Sequence, residues 1–524
     1  MYDKVKGILD SAFGCDCILN IPKDSQMGHF ATPLAFSLAK SLKKNPNEIA
    51  VELKEKLANL PQFRQVEVIN GYVNLHLSDE FLAQMAHEIL ENGDLQGESQ
   101  CKSQKILLEF VSANPTGPLH IGHARGAIWG DTLARIGRFL GHTIITEYYI
   151  NDAGSQIENL MLSVLNALGY AQFSDTEAQN LYKGEYITDL ADSAKAHFGT
   201  EFFKNSTNLA NLKDFCVEKM LDLIKANLKS ANIKFDNFIS EKSLMTKLDS
   251  TLERLKSNGA LYEVEGKIWL KSTAFGDEKD RVIVRENGEP TYLAGDIIYH
   301  NDKFSRDFDK YINIWGADHH GYIARIKASV AFLGYDSTRL EVLLSQMVSL
   351  LKDGEPYKMS KRAGNFILMQ DIIDEIGIDA LRFVFLTKRA DTHLEFDLST
   401  LKAQDSSNPI FYINYANARI HTLLGKGSAD LGNFDFTKLE NEWKDLLFCA
   451  LLLPRILEVA FNERAMQKLP EYLKNLASKL HFCYNSFKII GTENESAICN
   501  ILKVVSHSIT TGLRLMGITA KTKM

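Results

Sequence analysis

His120 and His123 stand three residues apart with Gly122 between them, a spacing that puts both imidazoles on one face of a helix's first turn. That turn carries unpaired backbone N–H groups and the positive end of the helix dipole, so it attracts anions. Imidazoles placed there reach phosphate oxygens, and a glycine between them leaves room for a flat base to stack against the backbone. The chemistry this spacing supports is nucleotide binding. A His-x-Gly-His tetrad is short enough to arise without function, so the segment around it has to carry the reading. Upstream, Ile106 to Val111 reads as a buried strand, followed by a loop punctuated by Pro115, Gly117 and Pro118 and a helix opening at His120.

A second cluster, Lys358-Met359-Ser360-Lys361-Arg362, lies in a Gly- and Pro-bearing loop from Lys352 to Asn365. Alone it reads as a solvated surface loop. Beside a nucleotide, Lys358 and Lys361 would neutralise the charge that grows on departing phosphates. Glu109 ends an otherwise apolar strand, where an unpaired carboxylate costs several kcal/mol, so a cation must meet it. Tyr292 and Asp296, four apart, add a second carboxylate and an aromatic wall, between which a planar guanidinium fits by bidentate hydrogen bonds and stacking. Taken singly, a strand-edge cap and a helix cap explain Glu109 and Asp296 equally well.

The elements that must position these residues follow from periodicity. Residues 1–103 read as an α+β domain: helical patterns cover 32–42, 49–57 and 79–90, and Asn70-Gly71 joins two short strands as a hairpin. Residues 104–400 read as a Rossmann-type α/β domain. Its first β-α-β element ends in the polar turn Asn151-Asp152-Ala153-Gly154, a carboxyl-end position where open parallel sheets place ligands. An insertion spans about 155–290, with hairpins at Glu265-Gly266 and at Asn287-Gly288, the latter returning through Thr291-Tyr292-Leu293. Residues 401–524 show only helical patterns and read as a bundle.

With 524 residues, 45% hydrophobic and 24% charged, the chain has the composition of an ordinary soluble protein. A net charge of −7 gives no global field for nucleic acid, leaving any such contact to local basic patches. Seven scattered cysteines fit free thiols, and neither Asp318-His319-His320 nor Cys15-x-Cys17 has the further ligands of a zinc site. No leader is legible at Met1 to Lys6, and no apolar run reaches the ~18 residues of a membrane span. The expectation is a cytoplasmic protein with no membrane partner and no resident metal.

Residues 109–123 resemble the HIGH signature of class I aminoacyl-tRNA synthetases, and Lys358-Met359-Ser360-Lys361-Arg362 resembles their KMSKS loop, in the family's order. Within that class the chain resembles the arginyl-tRNA synthetase family. The match rests on Asn114-Pro115-Thr116-Gly117, Tyr148-Tyr149-Ile150-Asn151-Asp152-Ala153-Gly154, Gly276-Asp277-Glu278-Lys279-Asp280-Arg281-Val282 and Tyr292-Leu293-Ala294-Gly295-Asp296. It extends to Gly316-Ala317-Asp318-His319-His320-Gly321, Asn408-Pro409 and Tyr415-Ala416-Asn417-Ala418-Arg419.

The resemblance implies ATP with Mg²⁺, L-arginine and an arginine tRNA as partners, no DNA, and a monomer. It implies that His120, His123, Lys358 and Lys361 are catalytic. ATP would also contact Gly117, Gly122, Met359 and Ser360. Arginine would contact Glu109, Ser112, Asn114, His123, Tyr292, Asp296, Asp318 and His320, with family members differing at the Asp318–His320 turn. In the N-terminal domain, Tyr72 and Asn74 share a strand face and would contact the tRNA corner. In the bundle, Tyr412, Tyr415, Asn417 and Arg419 would contact the anticodon. The competing readings are another class I synthetase, a small nucleotidylyltransferase, and a non-catalytic tRNA-binding paralogue.

Overall fold

Lys105–Glu109, the apolar strand that leads to the histidines, takes the centre of a sheet that hides its backbone on both sides. In this computed structural model, which describes residues 1–93, 102–174, 177–357, 366–426 and 435–524, five strands run parallel. Their order is Leu340–Ser345, Lys310–Gly316, Lys105–Glu109, Thr143–Ile150 and Asn237–Ser240. The chain thus builds outward on one side of its first strand and later returns to the other. That reversal opens a crevice at the carboxyl ends of Lys105–Glu109 and Lys310–Gly316, where doubly wound sheets take ligands. The Rossmann-type sheet is present as expected.

Two local expectations are corrected. The stretch read as an insertion contributes Asn237–Ser240 to the main sheet; four residues with one Phe and one Ile are too few to announce a strand. The rest of that stretch holds the helices Ser155–Ala167, Glu185–Phe198 and Leu209–Ser230 and a three-stranded antiparallel sheet of Leu261–Val264, Lys267–Leu270 and Arg281–Val284. Thr291-Tyr292-Leu293, read as a returning strand, instead opens the helix Tyr292–Ser305. Gly288, at φ 79°, turns the chain, but only Val284 and Pro290 pair as a bridge, because Pro290 has no N–H with which to extend a ladder.

This helix lies against the sheet and neutralises a buried polar layer. Asn313, Glu109 and Glu147 are lateral neighbours on three adjacent strands, and all are buried. Lys303, itself buried, bonds Glu109 Oε2 and donates to Asn313 Oδ1 at 2.8 Å. Arg306 grips both oxygens of Glu147 at 2.5 and 2.8 Å, and the Tyr299 hydroxyl adds a bond of 2.9 Å. The cation required by Glu109 is therefore part of the fold.

Ser103–Lys402 form one compact unit, and Met1–Lys102 with Ala403–Met524 form a second. The two terminal segments, expected as separate domains, group together. The first contains an antiparallel sheet with Tyr72–Leu77 between Phe30–Thr32 and Phe63–Ile69, and Asn70 (φ 51°) and Gly71 (φ 81°) make the expected tight hairpin. The second contributes the helices Pro409–Leu424, Asn441–Leu451, Leu453–Asn462, Lys468–Ser486 and Glu495–Leu515. The Phe448 ring sits against His29 and Phe30 at 4.7 and 5.4 Å, Lys444 pairs with Asp79 at 2.8 Å, and Arg455 lies 4.2 Å over Tyr2. Among the described residues, no helix is long and apolar enough to cross a membrane.

Removing one partner of a buried pair strands the other charge. Lys303→Met is expected to cost about 3–5 kcal/mol of unfolding free energy. Adding Glu109→Gln should restore part of that loss, as read by denaturant titration of both variants.

Candidate active site

After Glu109 the chain leaves the sheet through two strained residues, Val111 (φ 69°) and Ser112 (φ 43°). Left-handed backbone at non-glycine positions persists only where neighbours enforce it. Here Ser112 Oγ donates to Glu109 Oε1 at 2.9 Å and accepts from the Tyr149 N–H at 3.2 Å, while Tyr148 donates to the Ala113 carbonyl at 2.7 Å. Asn227 accepts from the Leu119 N–H at 3.1 Å. Asn114, half-buried, donates to Gln156 at the start of the helix Ser155–Ala167. Gly117 lies against the Tyr186 ring, where a Cβ would meet the ring at 3.3 Å.

His120 is the N-cap of the helix Ile121–Phe139, one residue outside the helix it was expected to open. The two imidazoles stack with centroids 3.6 Å apart. His120 Nδ1 accepts from the Gly122 N–H at 3.1 Å, and His123 Nδ1 accepts from the His120 N–H at 3.4 Å. Burial lowers the His120 pKa; burial and then the adjacent His120 bring that of His123 to about 3. Both rings are therefore neutral at pH 7, with Nδ1 used as acceptor and Nε2–H left to donate. The face of Gly122 expected to receive a base is covered by the His120 ring, which a Cβ would meet at 3.0 Å.

Lys358, Met359, Ser360 and Lys361 lie outside the described residues. The chain that follows them is tied to the histidine turn: Ile121 N–H bonds the Ile367 carbonyl and Met369 N–H the Leu119 carbonyl, each at 2.9 Å. The Phe366 ring stacks on His120 at 5.3 Å.

A buried acidic cluster lies at the carboxyl end of the same sheet. Asp296, on the helix Tyr292–Ser305, receives the Tyr322 hydroxyl at 2.5 Å. Its pKa is pushed up to about 6, chiefly by burial; the Tyr322 bond and Lys303 oppose the rise and Glu109 adds to it. Glu241, which begins a short helix after the edge strand, is buried and pushed up to about 7 by burial, then by Asp296 and Asp152. It borders Gly295, where a Cβ would stand 2.5 Å from Glu241 Oε1. The Asn151 amide, turned so that its nitrogen faces the carboxylate, donates to Glu241 Oε2 at 2.7 Å. Asp152 accepts from Ser240 Oγ at 2.6 Å and from the Lys242 N–H at 2.8 Å. Tyr292 is half-exposed and reaches Ser155 Oγ at 3.3 Å, closing over Gly154. Lys303 is held by Glu109 and Asn313, and Arg306 by Glu147, so among the described residues neither Glu241 nor Asp296 forms an ion pair.

Glu109 is bonded to Lys303 and Ser112, whereas Glu241 lies beside Asp296 and is bonded by the Asn151 amide. It was missed because the turn at Ser240-Glu241 has no periodic signal around it. Asp318 and His320 lie on an exposed turn, Asp318 facing His319 at 3.7 Å, and are not among the buried carboxylates.

In the other unit, Asn74 is buried in the central strand, and its expected partner Tyr72 instead pairs with exposed Phe36 at 5.2 Å. Asn417 is fully buried, holding Ser506 Oγ and the Lys521 carbonyl, because two residues along a helix from Tyr415 is nearly the opposite face. Arg419 lies between Tyr415 and Tyr484 at 4.6 and 4.5 Å and donates to His481 at 3.2 Å; Tyr412 flanks His481 at 4.5 Å. Tyr484 and His481 come from the helix Lys468–Ser486, which sequence alone gave no reason to place there.

Residues 85–399 match the family described as tRNA synthetases class I (R), catalytic domain. Residues 413–524 match the DALR anticodon binding domain, and residues 3–77 the arginyl tRNA synthetase N terminal domain. The arginine–tRNA ligase of Wolinella succinogenes is 54% identical over 100% of both chains. That of Campylobacter jejuni is 54% identical over 100% of this chain and 99% of its own. The Thermus thermophilus arginyl-tRNA synthetase structure superposes with a TM-score of 0.78 at 20% identity, covering 100% of each chain, a likeness of fold. With more than half of its residues inside the class I catalytic match and relatives above half identity along its whole length, the chain belongs to the arginyl-tRNA synthetase family.

Proposed function

We propose that Glu241 and Asp296 receive the guanidinium of L-arginine in an enzyme that joins this amino acid to tRNA at the expense of ATP. One observation carries the proposal: two neighbouring buried carboxylates with raised pKa values lie where the nearest bases are already paired. A planar, permanently charged fork matches two carboxylates, whereas an ammonium cannot satisfy both. Tyr292 closes over the substrate stem. Asn114, beside the histidine turn, meets the α-amino or carboxylate end, and Glu109 and Ser112 set the path of the loop that carries it.

The arginine carboxylate then attacks the α-phosphate of ATP in line. A carboxylate–phosphorus bond forms as the bond to the β-phosphate oxygen breaks, giving arginyl-adenylate and pyrophosphate. His120 and His123 donate Nε2–H to phosphate oxygens as neutral groups, while Lys358 and Lys361 offset charge on the leaving group. The histidine turn offers nitrogens rather than the oxygen ligands that Mg²⁺ takes, so the ion accompanies the nucleotide as its counter-ion. The terminal ribose hydroxyl of tRNA next attacks the adenylate and releases AMP. Positioning and charge stabilisation suffice, with no covalent intermediate on the protein.

For tRNA, the Tyr412–Tyr415–Arg419–His481–Tyr484 cluster offers stacking faces and donors to unpaired anticodon bases, and Phe36 with Tyr72 offers a second aromatic surface. The reading extends to a cytoplasmic monomer.

Arginine-dependent ATP–pyrophosphate exchange with arginine tRNA present tests the proposal, with lysine, glutamate and cysteine as controls. Asp296→Asn is expected to lower kcat/KM for arginine about 100-fold; unchanged arginine use would sink the assignment. Arg419→Ala should raise the KM for tRNA while leaving that for arginine alone, a split visible in aminoacylation kinetics.

The carboxylates also set a pH dependence. Arginine affinity should rise as pH climbs through about 6 to about 7, where Asp296 and Glu241 ionise, with proton release on binding measured by calorimetry in two buffers. Without substrate the sign reverses. A carboxyl whose folded pKa is raised stabilises below its unfolded pKa and loses that contribution as pH rises through the folded value. Glu241→Gln should therefore raise Tm at pH 8, and the gain should vanish towards pH 4.

A further inference from the structure

One oxygen of Asp296 is already occupied within the chain. Tyr322, at the end of the exposed turn Ala317–Tyr322, places its hydroxyl 2.5 Å from Asp296 Oδ2, the length of a charge-assisted bond. The phenol ring lies under the Arg325 guanidinium at 4.8 Å and against Trp315 at 6.1 Å. Arg325 in turn donates to the Gly321 carbonyl at 3.2 Å and stands 3.8 Å from Asp277 Oδ2. Asp277 is anchored by two bonds from Arg281, at 2.8 and 2.7 Å, and by Ser272 Oγ at 3.0 Å. A continuous chain of polar contacts thus runs from the inserted three-stranded sheet to the carboxylate assigned to the substrate.

We propose that Tyr322 is a positioning residue for arginine selection: it holds one oxygen of Asp296, leaves the other turned to the guanidinium, and is itself braced through Arg325 by Asp277. The proposal rests on the assignment of Asp296 to arginine. A free carboxylate rotates about its terminal bond, and a fork-shaped ligand loses hydrogen-bond geometry with every such rotation. A neutral donor removes that freedom without cancelling the pocket's charge. A lysine or arginine in its place would fix Asp296 equally well but act as a resident cation, competing with the substrate for the same field. The groups facing Asp296 are Glu109 from the central strand, Tyr149 from the strand beside it, Lys303 from its own helix, Glu241 from the edge-strand turn and Tyr322. Tyr149 bonds Glu241 instead, and Tyr322 is the uncharged group that donates to Asp296.

Tyr322→Phe deletes the hydroxyl and keeps the ring beneath Arg325. It should raise the KM for arginine about tenfold, as expected for loss of a hydrogen bond to a charged group. kcat and the KM for ATP should change less than about twofold. The acid limb of kcat/KM for arginine should move to higher pH, because the bond favours ionised Asp296. Arg325→Met should move the same two readouts in the same direction by less. If Tyr322→Phe matches the unaltered enzyme in arginine KM and acid limb while Asp296→Asn loses arginine use, the positioning role is overturned and the carboxylate assignment stands. If Asp296→Asn itself retains arginine use, the underlying assignment fails instead. A fall in Tm with equal losses for arginine and ATP would mark Tyr322 as merely structural and also overturn the proposal.

Discussion

Burying two carboxylates beside each other is unfavourable twice over, once for lost hydration and once for mutual repulsion, and Glu241 and Asp296 bear both penalties. Much of the surrounding architecture can be understood as holding that arrangement in place. Lys303 and Arg306 neutralise Glu109 and Glu147 one layer below, so that unpaired charge is confined to the ligand level. Gly295 keeps the helix surface bare where Glu241 approaches. Asn151 and Tyr322 supply neutral hydrogen bonds that orient the two carboxyl groups without discharging them. An intrinsically destabilising pair becomes a recognition element because the fold stabilises everything adjacent to it and leaves the pair itself to the substrate.

The sheet topology explains why two chemistries meet there. The crevice at the reversal point places the end of Lys105–Glu109 beside the end of Lys310–Gly316. Lys105–Glu109 leads into the histidine turn and Lys310–Gly316 into the turn that delivers Tyr322. The Val111-Ser112 backbone redirects the chain between these functions, and Ser112 is held in that conformation by its bond to Glu109. A nucleotide face and an amino-acid face therefore share one loop as their common wall.

What was legible in the sequence was local. The histidine turn, its lead-in strand and the Asn70-Gly71 hairpin are each encoded within a few residues and stand where expected. Glu109 was legible in half: the cost of burying it required a cation, but the lysine that answers lies 194 residues away, and no single-chain pattern reveals such a partner. Glu241 was not legible, because the strand before it has four residues and its setting depends on Asp296 and Asn151 converging on it. Asn417 was placed by motif membership, which says nothing of which way a side chain faces, and Asn74 by the strand face it shares with Tyr72, which is exposed at Tyr72 and buried at Asn74. The helix periodicity that sets Asn417 opposite Tyr415 was available and outweighs motif membership. The partners of Arg419 come from a distant helix and become visible only when helices are packed.

The terminal segments raise a matter of timing. Met1–Lys102 pack with Ala403–Met524, and all of Ser103–Lys402 is synthesised between them. During translation the first module emerges with Tyr2, His29, Phe30 and Asp79 exposed, while Arg455, Phe448 and Lys444 do not yet exist. It must remain soluble on its own three-stranded sheet until the last helices leave the ribosome, a wait that domain-wise folding tolerates but does not shorten. The half-polar character of the waiting surface, with His29 and Asp79 beside Phe30, suits that interval better than an apolar face would. Completion of this unit is consequently among the last events in making the molecule, and a ribosome that stalls within the catalytic segment leaves the N-terminal module undocked.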